Sequence, residues 1–163
     1  MEFSRTACLG GGGIGASWAA LFLASGRSVA LHDPAPHVEA TVRAYIERAW
    51  PTLDALGLTE QGTPDAITFH ETAAEAVDGA DFVQENVPER LAIKHATFAE
   101  IEPVLSDTAI VASSASGLTL SQMQSGRQAP ARFVLGHPFN PPRLLPLVGV
   151  LGNDLTAAGV IAD

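Results

Sequence analysis

An α/β domain built on a doubly wound, mostly parallel sheet is the fold class that this 163-residue sequence predicts. Three observations carry it. Short apolar runs alternate with segments of helical period along the chain. The first run ends in a glycine-rich loop that opens a helix, and the second ends in Asp33-Pro34. The composition, 47% hydrophobic and 17% charged, suits one compact domain and excludes a disordered or fibrous chain.

Thr6-Ala7-Cys8-Leu9 is a short apolar run suited to a buried strand. After Gly15 the period changes: Ile14, Trp18, Leu21, Phe22 and Ser25 fall at helical spacing, and Gly26 supplies a C-terminal stop. Val29 to His32 reads as the second strand. His37 to Leu56 reads as a helix with Val42, Ile46 and Ala49 on one face, which Pro51 should kink or split. Ile67 to Phe69 is a brief strand, and a helix starts near Thr72. Ala80 to Gln84 is a strand, Glu89 to Ile101 a helix, Ala109 to Ala112 a strand, and Thr119 opens a short helical turn. Phe133 to His137 is the next strand. An elbow with Pro138, Pro141, Pro142 and Pro146 leads to a last strand over Leu147 to Val150, and Leu155 to Ala162 reads as the start of a helix. The whole chain, 1–163, reads as one domain.

Eighteen acidic against nine basic residues give a formal charge of −9, which argues against nucleic-acid or anionic-membrane partners. The uncharged stretch between Arg5 and Arg27 is interrupted by glycines, and the residues before it include Glu2, so neither a membrane span nor a signal peptide is expected. The single cysteine, Cys8, cannot form an internal disulfide, no Cys/His metal framework is present, and a reducing compartment such as the cytoplasm is expected.

Gly10-Gly11-Gly12-Gly13-Ile14-Gly15 fits G-x-G-x-x-G. Glycines let the backbone turn tightly and approach a pyrophosphate, and the helix N-terminus faces the phosphate charge. Asp33, eighteen residues after Gly15, stands where a carboxylate would accept from the adenosine ribose hydroxyls. The competing reading is a flexible glycine loop followed by an ordinary strand-end acid. Pro34 and Ala35 follow with no Arg nearby, so NAD is favoured over NADP. Gln84-Glu85-Asn86 and Ser113 to Gly117 both follow strands, where loops line a ligand crevice. Plain loop composition explains the serine run equally well, and a core histidine satisfied by backbone is the common fate of a residue such as His137. Cys8, Trp18 and Trp50 read as packing residues.

Together these segments resemble the NAD-binding half of the 3-hydroxyacyl-CoA dehydrogenase superfamily, a Rossmann-like domain, over nearly the whole chain. The specific pieces are Gly10 to Trp18, Gln84 to Glu89 leading to Lys94, Ala112 to Ser116, and Gly136 to Pro142. His137-Pro138-Phe139-Asn140-Pro141-Pro142, and Ala49-Trp50-Pro51 ahead of Leu56-Gly57-Leu58, look more like the carnitine dehydrogenase branch. The lambda-crystallin/gulonate dehydrogenase branch is also close.

The resemblance implies an NAD-dependent oxidoreductase acting on the 3-hydroxyl of an L-3-hydroxy acid or hydroxyacyl-CoA, with a small-molecule substrate and a homodimer in the full-length protein. It implies NAD binding by Gly10, Gly12, Gly13, Ile14, Gly15, Asp33, Glu89, Lys94 and Ser114. Ser116 and Asn140 would meet the substrate, and His137 and Ser116 would be catalytic, His137 as the general acid/base. An imidazole suits that role because it gives and takes a proton near neutrality.

Two departures stand out. Leu147-Val148-Gly149-Val150 replaces the family's Leu-Val-Glu-Val, whose Glu orients the histidine, and the sequence stops at Asp163, where the resemblance implies that a helical domain would follow. A module that holds NAD without turnover is therefore the rival class, and an FAD or nucleotide-sugar enzyme is a third reading of the glycine loop.

Overall fold

The computed structural model describes residues 3–145 and 147–161. Seven strands, β1 (Arg5–Leu9), β2 (Ser28–His32), β3 (Ile67–Phe69), β4 (Phe82–Glu85), β5 (Ile110–Ser113), β6 (Phe133–Pro138) and β7 (Val148–Leu151), form one sheet in the order β3-β2-β1-β4-β5-β6-β7. All neighbours are parallel except β6 and β7. Strand order reverses between β1 and β4, and the crevice outside their carboxyl ends is where such sheets bind ligands.

Alternation along β1 builds the two halves of the core. Ala7 and Leu9 face one layer with Val83, Phe98 and Met123, while Cys8 faces the other with Ala19, Leu23, Val42 and Ile46. The first layer is covered by α3 (Ala73–Val77), α4 (Leu91–Ile101) and α5 (Leu120–Gln124), the second by α1 (Gly13–Ala24) and α2 (Val38–Ala55). Thr72 and Thr119 each close a reciprocal capping box, with Glu75 and Gln122, which fixes where α3 and α5 begin.

Arg127 lies between two rings, its guanidinium carbon 4.8 Å from the centroid of Phe98 on α4 and 4.6 Å from that of Phe133 on β6. Its Nε donates to Glu102 at 3.1 Å, and burial lowers its pKa against the attraction of that carboxylate.

Two expectations need correction. The second helix runs unbroken through Pro51, because Val42, Ile46, Ala49 and Leu53 are buried on both sides of it. Pro51 itself is on the exposed face, where the carbonyl left without a partner can meet water. Leu155 to Ile161 is a series of turns rather than a helix; Ala162 lies outside the described residues. Asn153 Oδ1 accepts from the Leu155 amide, Ala157 donates to the carbonyl of Ala131, and Gly159 adopts φ +96°, so local bonds compete with helix. The first helix begins at Gly13, inside the glycine loop and one residue before Ile14, where the helical spacing starts. Of the elbow prolines, Pro138 ends β6, and Pro146 lies outside the described residues.

Candidate functional site

The glycine loop leaves β1 at the switch point. A Cβ on Gly15 would stand 1.9 Å from the Gly10 carbonyl oxygen, and one on Gly10 (φ +94°) 2.7 Å from the carbonyl oxygen of Asn86. These two positions admit only glycine. Around Gly12 and Gly13 a Cβ would meet nothing within 4 Å, so the loop is open on its crevice side. Among the described residues no side chain caps α1, so its first amides are left without partners. Tight packing behind and free N–H groups in front suit the pyrophosphate of a dinucleotide.

Asp33 follows β2. Its Oδ2 accepts from the Gly11 amide at 2.7 Å and its Oδ1 from the Ala35 amide at 2.8 Å. Each oxygen keeps a lone pair for another donor. A cleft of about 840 Å³ runs from Gly10, Gly12 and Asp33 across to Ala92 and Ile93 on α4. It meets a second cleft, of about 490 Å³, at a ridge formed by Asn86, Val87 and Pro88, which lines both.

That second cleft gathers Ile14, Glu89, Lys94, Ser114, Ser116, His137 and Asn140. Residues scattered over more than 120 positions of sequence thus share one wall, each delivered by the carboxyl end of a strand or the start of a helix. His137 is half-buried near the end of β6, its ring edge-on to Phe139 with centroids 6.5 Å apart. Among the described residues, neither ring nitrogen has a hydrogen-bond partner. Directly across the β6–β7 ladder stands Gly149.

Glu89 organises the serine loop. Its Oε1 accepts from the amides of Ser116 (2.8 Å), Gly117 and Leu118 (3.3 Å), and its Oε2 from the Ser116 hydroxyl (3.0 Å). The Gly117 amide foremost, with Ser116 and Leu118, holds the Glu89 carboxyl below the usual carboxylate range, against desolvation that raises it. Because the Ser116 hydroxyl donates to Glu89, it offers the cleft lone pairs. Ser114 donates to Asn86 Oδ1 (2.7 Å) and accepts from Gln84 Nε2 (2.8 Å).

Lys94 touches the cleft wall yet is 1% exposed, and its three ammonium protons have three acceptors: Glu85 Oε1 (2.7 Å), Glu85 Oε2 (2.8 Å) and the Val87 carbonyl (3.3 Å). Glu85, fully buried, also accepts from Ser113 and from the Val87 amide. Sequence analysis counted Glu85 and Ser113 among the segments that line the crevice; both are instead buried behind its wall, and their bond to each other and to Lys94 was not foreseen. The one available signal was a carboxylate inside the otherwise uncharged strand Phe82-Val83-Gln84-Glu85, nine residues before the single lysine. Another cavity, lined by Arg43, Trp50 and Asp54 on α2, gathers none of the predicted residues. Among the described residues, no cluster fit for a metal ion occurs and no helix is long and apolar enough to cross a membrane.

Fold and crevice together define a dinucleotide-binding α/β domain. The family described as "3-hydroxyacyl-CoA dehydrogenase, NAD binding domain" matches residues 5–163. An L-carnitine dehydrogenase of Streptomyces coelicolor is 46% identical over 158 residues, 97% of this chain and 50% of that protein. One from Pseudomonas putida is 42% identical over 160 residues, 98% of this chain and 50% of that protein. Among solved structures, 5-formyl-3-hydroxy-2-methylpyridine 4-carboxylic acid 5-dehydrogenase, an NAD+-dependent dismutase, superposes with a TM-score of 0.89 at 33% identity, over 99% of this chain and 52% of that one. The 3-hydroxybutyryl-CoA dehydrogenase of Escherichia coli K12 shares the fold, with a TM-score of 0.89 at 24% identity over 99% of this chain and 35% of that one. The chain belongs to the 3-hydroxyacyl-CoA dehydrogenase family as its NAD-binding domain, and its cofactor is NAD. It spans about half the length of the curated relatives it matches.

Proposed function

We propose that this chain is the NAD-binding half of a dehydrogenase that oxidises the 3-hydroxyl of an L-3-hydroxy acid, with L-carnitine as the leading substrate. The observation that carries the reading is the shared cleft of His137, Ser116 and Asn140, next to the crevice entered by the glycine loop. The names of the relatives above support the choice of substrate; a hydroxyacyl-CoA is the alternative. Gly10, Gly12, Gly13, Ile14 and Gly15 hold the cofactor's phosphates and Asp33 its adenosine ribose, with Glu89, Lys94 and Ser114 shaping the nicotinamide side. Bound NAD supplies the hydride acceptor. His137 takes the alcohol proton on a ring nitrogen and returns it in the reverse direction. Ser116 orients the substrate oxygen by turning its own hydroxyl proton from Glu89 to that oxygen, which leaves the alcohol proton to His137, and Asn140 closes the substrate end. The full-length protein would be a cytoplasmic homodimer.

A second reading, a module that binds NAD without turnover, is favoured by one observation: the His137 ring has no orienting partner among the described residues, and Gly149 faces it. Fluorescence titration with NADH and an L-carnitine oxidation assay separate the two. Both are run on this chain alone and on this chain joined to the C-terminal half of a carnitine dehydrogenase. The chain alone should bind NADH with little turnover, since its cleft is open to water on one side; the joined chain should oxidise L-carnitine. NADH binding by a joined chain that stays inert would establish the second reading.

A further inference from the structure

Resting on the NAD-binding reading above, we propose that Glu85 and Lys94 are positioning residues. Their buried ion pair grips both polar groups of Val87 and thereby fixes the ridge that divides the adenosine cleft from the nicotinamide cleft.

The geometry is specific. Glu85 Oε1 accepts from the Val87 amide at 2.7 Å, and Lys94 Nζ donates to the Val87 carbonyl at 3.3 Å while bonding both oxygens of Glu85. One ion pair therefore sets the orientation of two successive peptide groups. Ser113, from β5, bonds the remaining carboxylate oxygen, so β4, α4 and β5 all converge on the pair. The residue before Val87 is held separately. The Asn86 amide donates to the Leu9 carbonyl at 2.7 Å, and the Asn86 side chain bonds Gln84 and Ser114.

The ridge leans on the glycine loop. The Asn86 carbonyl that leaves no room for a Cβ on Gly10 belongs to the same peptide group as the Val87 amide. A shift of the ridge thus reaches the phosphate loop on one side and the cleft of His137 and Ser116 on the other. Stability alone gives poor reason for such a pair. Taking two charges out of water is costly, and apolar residues of similar volume often serve a core as well or better. The pair differs from an apolar filling in holding a backbone N–H and C=O in place at a cofactor wall, where small displacements matter. With all three protons of Lys94 spent inside the protein, its effect on the cofactor passes through this ridge.

The test compares wild type, Glu85→Gln, Lys94→Met and the double variant Glu85→Gln/Lys94→Met, by thermal midpoint and by titration with NADH and with adenosine monophosphate. Each single variant leaves one unmatched polar partner in the core and is expected to lose stability. The double variant buries no charge, and its Gln can still serve Val87 N–H and Ser113, so its midpoint should lie within a few degrees of wild type. Its NADH affinity should nevertheless fall at least tenfold, with adenosine monophosphate affinity changed less than threefold, because only the dinucleotide crosses the ridge. A double variant with unchanged NADH affinity overturns the proposal, as does equal weakening of both ligands. So does a Glu85→Gln variant that binds NADH normally while Lys94→Met does not, which would make Lys94 a direct ligand. A wild-type chain without NADH affinity overturns the NAD-binding reading itself, and this inference with it.

Discussion

Gly149→Glu, made in the chain joined to a carnitine dehydrogenase C-terminal half, tests the catalytic role of His137. The register pairs Gly149 directly with His137, and opposite residues of an antiparallel ladder point to the same face with Cβ atoms about 5 Å apart. A Cβ at 149 would meet only the His137 carbonyl oxygen, at 3.8 Å, and the position is exposed, so a Glu can enter without a clash or a desolvated charge. A carboxylate about 4 Å from an imidazolium gains about 4 kcal/mol at an effective dielectric constant near 20. Water at the exposed strand reduces this toward the ~1 kcal/mol of surface pairs. A tenfold rate gain needs about 1.4 kcal/mol, inside that range. The expected outcome is at least a tenfold rise in kcat for L-carnitine oxidation and an unchanged NADH Kd. A flat rate in Gly149→Glu beside an inactive His137→Ala would show that the histidine is catalytic but needs no such orienter. Full activity in His137→Ala would remove it from the chemistry.

Three further outcomes follow from the same structure. NADH should bind about a hundredfold tighter than NADPH, because a 2′-phosphate would meet the Asp33 carboxylate with only Pro34 and Ala35, and no arginine, directly after it; equal affinities in titration would refute the ribose role of Asp33. Glu89 is held below the ordinary carboxylate range, so its contribution is present above a pH of about 4.3 and is lost as pH falls through its lower folded value. Amide shifts of Gly117 and Leu118 should titrate with a midpoint under that ordinary value and stop titrating there in Glu89→Gln; a midpoint above it would show that the clamp is absent in solution. Burial pushes the Cys8 thiol up to about 12, so a thiol reagent should label it only as fast as the chain unfolds. Rapid labelling of native protein would contradict the buried first strand.

The strands and the glycine loop were legible in sequence because their signals are local. Thr6 to Leu9 is apolar on both faces, Gly10 to Gly15 interrupts it, and a helical period resumes within three residues. The capping boxes are equally local, threonine and its partner being three residues apart. Pro51 misled because the penalty for a helical proline depends on which face it occupies, and only the packed structure settles that. The hold of Glu89 on residues 116–118 was invisible, since it spans twenty-seven to twenty-nine positions and ends on backbone amides that leave no mark on side-chain pattern. Lys94 was recognised as a site residue by resemblance alone. Its dependence on Glu85 and Ser113 appears only when three elements are packed together.

The guanidinium of Arg127, closed between Phe98 and Phe133, bears on how the domain breathes. Those rings belong to α4 and β6, and separating the two elements would release both faces of a buried cation at once. Local opening is costly where such contacts are shared, so the amides of α4 and β6 should exchange with solvent as one cooperative unit, more slowly than the exposed strand β7. Since α4 carries Lys94 and β6 carries His137, the hold of the buried ion pair on Val87 and the strand under His137 should open together.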